Sequence, residues 1–242
     1  MKIDANSVTF EPQDMAFVKK FGILEATEMA LDYHAEHPNL PFLYDAEQLA
    51  GFLGISRGEL NDIVNHIQKE YKEAHLPKKD GTYRSLCVPS IRLRFCQDPI
   101  KEKILPQLPV SKFATAYQKG STTRGNAEPH IGKKFLLKLD ITDFFGSITF
   151  EQVQRTAFNT RYVSRQVGYL LTSLCCKDDS LPQGAATSPA LSNIVMYRFD
   201  DYIGRWCSQR QIAYTRYCDD MTFSANRPLY GVYQKVKTML RE

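Results

Sequence analysis

The sequence predicts an α+β protein: a small sheet with acidic strand ends, surrounded by helices. Three observations predict it. Phe135-Leu136-Leu137-Lys138-Leu139-Asp140-Ile141 is almost continuously apolar and closes on a carboxylate, which reads as a strand central in a sheet. A second β-forming run, Ile212 to Tyr217, leads into the adjacent pair Asp219-Asp220. Apolar residues recur at helical spacing before and between these runs. Two neighbouring carboxylates repel each other, and burial penalises each charge further unless a cation compensates. Mg²⁺ held by a few carboxylates while it grips phosphates is one such compensation. Taken alone, the pair also fits an ordinary acidic hairpin turn.

With 242 residues the chain can bury a large core, as one domain or two small subdomains. No apolar run approaches a membrane span, and Met1-Lys2-Ile3-Asp4-Ala5-Asn6 lacks the apolar stretch of a signal peptide. The six cysteines form no C-x-x-C pair, which argues against a zinc site or disulfide framework and for reduced thiols in a cytoplasm. Charge is unevenly spread. Residues 1–77 carry 6 basic and 13 acidic side chains, residues 78–134 carry 12 and 4, and residues 135–242 carry 13 and 10. A basic middle segment after an acidic lead-in suits a grip on a polyanion, or else a solvated basic surface.

Element by element, residues 10–37 carry a helical pattern that ends before Pro38. Asp45 reads as the N-cap of a helix from Ala46 to Leu53, which Gly54 closes, and Ser56 caps the next helix. This pair has the outline of a helix-turn-helix, but Arg57-Gly58-Glu59-Leu60-Asn61-Asp62 puts more acid than base where DNA phosphates would lie, so a structural lead-in is the better reading. Asp80-Gly81 signals a hairpin tip between Lys78 and Arg84, whose charges converge on one anion if they stand on opposite strands. Ile91, Leu93, Phe95, Ile100, Ile104 and Leu105 read as the buried stripe of a helix. The strand at 135–141 ends on Asp140, and if it neighbours the strand at 212–217, Asp140 and Asp219 meet at one sheet edge as a two-metal cradle. Ser180 to Ala190 reads as a loop in which Gln183 and Gly184 allow close backbone approach to a ligand. Ser188 and Pro189 then start a helix that continues through Tyr202.

Phe135 to Ser147, Leu181 to Ser192 and Tyr214 to Ser224 resemble, in order and spacing, the three central palm motifs of reverse transcriptases. Tyr217-Cys218-Asp219-Asp220 stands where bacterial members carry Tyr-Ala-Asp-Asp, and Lys78 to Pro89 is similar to their fingers segment. Asn126-Ala127-Glu128-Pro129-His130 is similar to the Asn-Ala-x-x-His element of retron members. The resemblance covers residues 45–242. It implies a right-hand polymerase palm of split β-α-β, ferredoxin-like type, with a helical region at 1–77, fingers at 78–134 and an incomplete palm at 135–242.

The resemblance also implies roles. Asp140, Asp219 and Asp220, with the Ile141 carbonyl, would hold two Mg²⁺, with Mn²⁺ as a substitute. Lys78 and Arg84, with the backbone at Asp143 and Phe144, would clamp the dNTP triphosphate. Phe145 would exclude a 2′-hydroxyl, Gln183 would line the pocket, and Tyr217 and Gly184 would face primer and template. Asn126 and His130 would contact RNA, with a structural histidine as the other reading of His130. The implied activity is retron-type RNA-directed DNA synthesis in a bacterial cytoplasm, serving phage defence. Its partners would be a structured RNA template, the cDNA hybrid, dNTPs and a retron effector protein, with no membrane. A group II intron or diversity-generating enzyme, an idle nucleic-acid-binding fragment and a DNA-binding regulator are the alternatives. Cys218 in place of alanine implies a thiol-sensitive site. The chain ends soon after Asp220, before the thumb, so weak or absent processive synthesis by these residues alone is expected.

Overall fold

The computed structural model describes residues 10–77 and 81–240. In chain order its elements begin with α1 (Met15–Phe21), α2 (Ile23–Glu36), α3 (Ala46–Leu53), α4 (Arg57–Asn65), β1 (Tyr71–Pro77), β2 (Tyr83–Pro89) and α5 (Ile91–Pro99). There follow α6 (Thr123–Ala127), β3 (Phe135–Asp140), α7 (Phe150–Thr156), α8 (Arg165–Cys175), α9 (Ser188–Val195), α10 (Tyr197–Ser208), β4 (Ala213–Tyr217), β5 (Asp220–Ala225) and α11 (Val232–Met239). Among the described residues no helix is long and apolar enough to cross a membrane. Two compact units form, each from two stretches of chain.

The first unit takes the described residues through Leu108 together with Thr149–Ser188. The single helix expected over 10–37 is instead two. Gly22 sits at φ 81° and ψ 155°, outside any helical region and accessible at no steric cost to glycine, and it separates α1 from α2. The inward face is made by Phe17, Ala26, Thr27 and Ala30, while Ile23 and Leu24 are exposed. The next two helices begin and end where local chemistry places them. Asp45 accepts from the Glu47 and Gln48 N–H groups, Gly54 ends α3 in a left-handed conformation, and Ser56 with Glu59 forms a reciprocal capping box on α4. Leu49, Leu53, Leu60, Ile63, Leu93 and Leu171 form the core where α3, α4, α5 and α8 meet.

The buried stripe of α5 also differs from expectation. Leu93, Cys96, Gln97, Ile100 and Ile104 face inward at helical spacing, whereas Ile91 (91% exposed) and Phe95 (56%) project to solvent. Beyond Pro99 the helix passes into a π-helical turn, Ile100–Ile104. Arg92 does not stand free on the polar side: it pairs with Asp62 at 2.8 Å and with the buried Glu70 at 2.6 Å. β1 and β2 form an antiparallel hairpin that sets Arg84 opposite Leu76. Lys78 and Asp80 lie outside the described residues. The Gln183-Gly184 loop packs along β2. The Gln183 carbonyl accepts from the Cys87 N–H at 2.7 Å, and a Cβ on Gly184 would stand 2.9 Å from the Cys87 carbonyl oxygen. Gly184 also holds φ 121°, so the position suits glycine on two counts.

The second unit takes Pro109–Ile148 and the described residues from Pro189. Its sheet has the order β3-β5-β4, all antiparallel. Two expectations are corrected here. β3 is an edge strand, with Phe135 and Leu136 exposed at 42% and 61%; a continuous apolar run does not by itself distinguish an edge from a centre. The buried central strand is β5, so β3 and β4 are not neighbours. The outer edge of β4 is covered by the segment at 113–115: Arg216 N–H donates to the Phe113 carbonyl and Thr115 N–H to the Arg216 carbonyl. The helix expected to run on through Tyr202 breaks at Met196 into α9 and α10. Ser188 is the first residue of α9, and its hydroxyl donates to the Pro182 carbonyl at 2.8 Å.

Candidate active site

Strand register gathers the acidic residues at one corner of the β3-β5-β4 sheet. Asp140 stands directly opposite Asp220, and Asp220 directly opposite Tyr217. Residues paired across antiparallel strands point to the same face. Asp140, Asp220 and Tyr217 therefore share one face with Lys138, Thr215, Thr222 and Ser224. Asp219 lies in the two-residue loop between β4 and β5, and its carbonyl accepts from the Ile141 N–H at 3.2 Å. The meeting of Asp140 with the acidic pair thus runs through β5, and Asp220 rather than Asp219 is its register partner. Lys138, two residues before Asp140, pairs with Asp220 at 3.5 Å.

The loop is a demanding piece of backbone. Cys218, its first residue, has φ 59°, in the left-handed region where a two-residue hairpin usually places glycine. Holding a side chain there costs about 1–3 kcal/mol, so the surroundings must over-determine it. They do so through Arg216, fully buried and two residues upstream. Its Nη1 donates to the Cys218 carbonyl at 2.7 Å, and its Nη2 donates to Asn193 Oδ1 at 3.0 Å and to Asp200 Oδ2 at 2.6 Å. Its Nε donates to Asp200 Oδ1 at 2.9 Å, and the Tyr214 hydroxyl donates to the same oxygen at 2.8 Å. Burial disfavours the Arg216 charge, but the Asp200 carboxylate outweighs it and raises the pKa above the ordinary arginine value. Burial, reinforced by Asp200, likewise pushes the Tyr214 phenol far up.

Sequence reasoning missed this network. Its signals are present nonetheless: an arginine alternating with Tyr214 on a buried strand, and Asp200 on the α10 face that also carries Phe199, Ile203 and Cys207. Tyr117 is a further omission; its hydroxyl pairs with the Cys218 thiol. Burial, opposed by that hydrogen bond and aided by Asp219, pushes the Cys218 pKa up, so the group stays a thiol at neutral pH. That blunts the thiol sensitivity expected of the site.

The segment after β3 is equally fixed. Asp143 has φ 47°, and a Cβ on Gly146 would collide with its carboxylate. Phe144 is buried with the Arg216 guanidinium 5.5 Å from its ring, whereas Phe145 is only half-buried, its ring 5.4 Å from that of Phe144. His130 bridges the strands: its two ring nitrogens lie 2.7 Å from Ser224 Oγ and 2.9 Å from Thr215 Oγ1. Asn126 Oδ1 accepts from the Thr115 hydroxyl at 2.6 Å. The named residues thus fall into two sets. Asp140, Ile141, Asp143, Phe144, Phe145, Tyr217, Asp219, Asp220, Asn126 and His130 belong to the second unit; Arg84, Gln183 and Gly184 belong to the first.

Three carboxylates and the neighbouring Ile141 carbonyl are hard oxygen donors of the kind divalent cations take. Among the described residues no group of three or more His, Cys, Asp or Glu is set to hold a metal ion. The donor chemistry and backbone placement fit a cation, and binding one requires the carboxylates to converge.

Residues 76–242 match the family model described as reverse transcriptase (RNA-dependent DNA polymerase). The Retron Ec86 reverse transcriptase of Escherichia coli is 30% identical over 204 residues, covering 84% of this chain and 63% of that protein. The Retron Ec83 reverse transcriptase of Escherichia coli is 36% identical over 70% of this chain and 58% of its own length. The Retron Mx65 reverse transcriptase of Myxococcus xanthus is 32% identical over 77% and 49%. The chain therefore spans about half to just under two thirds of the length of these curated relatives.

Two outcomes test the network. Arg216→Met leaves Asp200 buried without its cation and is expected to cost about 3–5 kcal/mol in denaturant unfolding, whereas Arg216→Met with Asp200→Leu, which strands the Tyr214 hydroxyl, regains part of that loss. His130 is held below its ordinary value of 6.5 by burial and by Lys133. The folded state thus prefers the neutral ring, and its stability is full above about pH 6.5 and declines on acidification below it. His130→Gln is expected to flatten the stability profile between pH 7.5 and 5.5; an unchanged slope would remove His130 as the cause.

Proposed function

The chain belongs to the reverse transcriptase (RNA-dependent DNA polymerase) family, and from that membership we propose that it carries out retron-type RNA-directed DNA synthesis. The observation that carries the reading is the register of Asp140 on Asp220, with Asp219 in the adjoining loop. Asp140, Asp219 and Asp220, with the Ile141 carbonyl, would hold two Mg²⁺ ions, with Mn²⁺ as a substitute. Bound there, the ions would lower the pKa of a primer 3′-hydroxyl and neutralise the triphosphate and departing pyrophosphate.

The remaining residues would position substrates. Lys78 and Arg84 would hold the dNTP phosphates with the backbone at Asp143 and Phe144. Half-buried Phe145 would pack under the sugar and disfavour a 2′-hydroxyl. Gln183 and Gly184 would line the nucleotide and template side, and Tyr217, on the Asp220 face, would lie beside the primer terminus. An RNA template, its cDNA hybrid and an effector protein are the proposed partners, and phage defence in a bacterial cytoplasm the proposed role. The names of the curated relatives and the Asn126-Ala127-Glu128-Pro129-His130 element support the retron assignment.

One observation favours a second reading, an idle nucleic-acid binder: Lys138 already pairs with Asp220. Incorporation of a first dNTP onto a primer annealed to RNA separates the two. The enzyme reading expects Mg²⁺-dependent incorporation that EDTA abolishes and that Asp219→Asn lowers by at least about a hundredfold with RNA affinity kept. Absent incorporation with RNA affinity kept would support the binder instead, and incorporation indifferent to Asp219→Asn would overturn the role assigned to Asp219.

A further inference from the structure

The inner face of α10, with Asp200, Ile203 and Cys207, is spent on the core, and its outer face is unlike an ordinary solvated helix surface. Arg198, Tyr202 and Trp206 recur every four residues and, with Tyr197 and Arg205, line one open groove of about 410 Å³. Each of two rings has a cation beside it. Lys235 on α11 lies 4.6 Å from the centre of the Tyr202 ring and 2.6 Å from its hydroxyl, and Arg210 lies 4.5 Å from the Trp206 ring. The groove has a single carboxylate, Asp201, and Arg205 already pairs with it. Arg198, Arg210 and Lys235 have no carboxylate partner among the described residues.

We propose that this α10 face is a second nucleic-acid site, which binds a single strand by stacking bases on Tyr202 and Trp206 and pairing its phosphates with Arg198, Arg210 and Lys235. Charge selects the ligand class. Cations without acidic partners complement a polyanion. The exposed Tyr202 ring and the half-buried Trp206 ring select the single strand, because a duplex hides its base faces in its own stack. The site is set apart from the aspartate loop by its place on the helix: Asp200, which holds that loop through Arg216, points inward, and the groove residues point outward.

Trp206 is the chain's single tryptophan, so its fluorescence reports on the groove without any nucleotide addition. The result is therefore independent of the polymerase reading. A short oligo(U) RNA, its deoxy counterpart and a duplex of equal length serve as probes. The expected result is quenching by at least one of the single strands, weakening with added salt. In Arg198→Ala/Tyr202→Ala the apparent Kd is expected to rise at least about tenfold with the unfolding midpoint unchanged. In Asp219→Asn the quenching is expected to persist. Flat emission with both strands, equal quenching by the duplex, or quenching unaffected by the double substitution would each overturn the proposal; flat emission would leave the groove to a protein partner.

Discussion

The buried pair between Arg216 and Asp200 is the interaction on which the rest of the second unit depends. A guanidinium with no solvent exposure is stable only if its donors are met, and here each partner belongs to a different element. Asp200 comes from α10, Asn193 from α9, and the Cys218 carbonyl from the acidic loop, while Phe144 lies against the guanidinium face. One side chain therefore ties helix packing to the conformation of the loop that carries Asp219. The left-handed Cys218 is tolerable because its carbonyl is held in place.

The sheet divides labour between its faces. Tyr214, Arg216, Met221 and Phe223 alternate onto the buried face, with the Tyr214 and Phe223 rings stacked at 4.9 Å. Asp140, Asp220 and Tyr217 alternate onto the other face, where His130 ties Ser224 to Thr215. The period of two in a strand makes this possible: Arg216 anchors from one side what Tyr217 and Asp220 present on the other. A substitution on the buried face thus reaches the acidic face through backbone position alone.

Where structure is set by neighbours in sequence, it was legible. Asp45, Gly54 and Ser56 act within four residues of themselves, and the helix bounds follow from them. The strand ends at Asp140 and Tyr217 were likewise readable, because a carboxylate or a turn closes each run. Facts that depend on pairing partners were not. The apolar run at 135–141 looks the same at an edge as at a centre, and only the position of β5 decides it. Ile91 and Phe95 were assigned to the buried stripe by hydrophobicity, whereas the spacing of Leu93, Cys96 and Ile100 defines the inward face. Arg216 and Asp200 stand sixteen residues apart, a separation at which no local rule connects them.

The proposed cation site depends on the acidic loop whose backbone the Arg216–Asp200 pair holds. Mn²⁺ binding followed by electron paramagnetic resonance tests it directly, in the wild-type chain and in Arg216→Met/Asp200→Leu, which removes both buried charges together. The account predicts Mn²⁺ binding by the wild type that weakens about 10–100-fold in the folded double variant. Wild-type affinity in that variant, or no Mn²⁺ binding by the wild type, would contradict it.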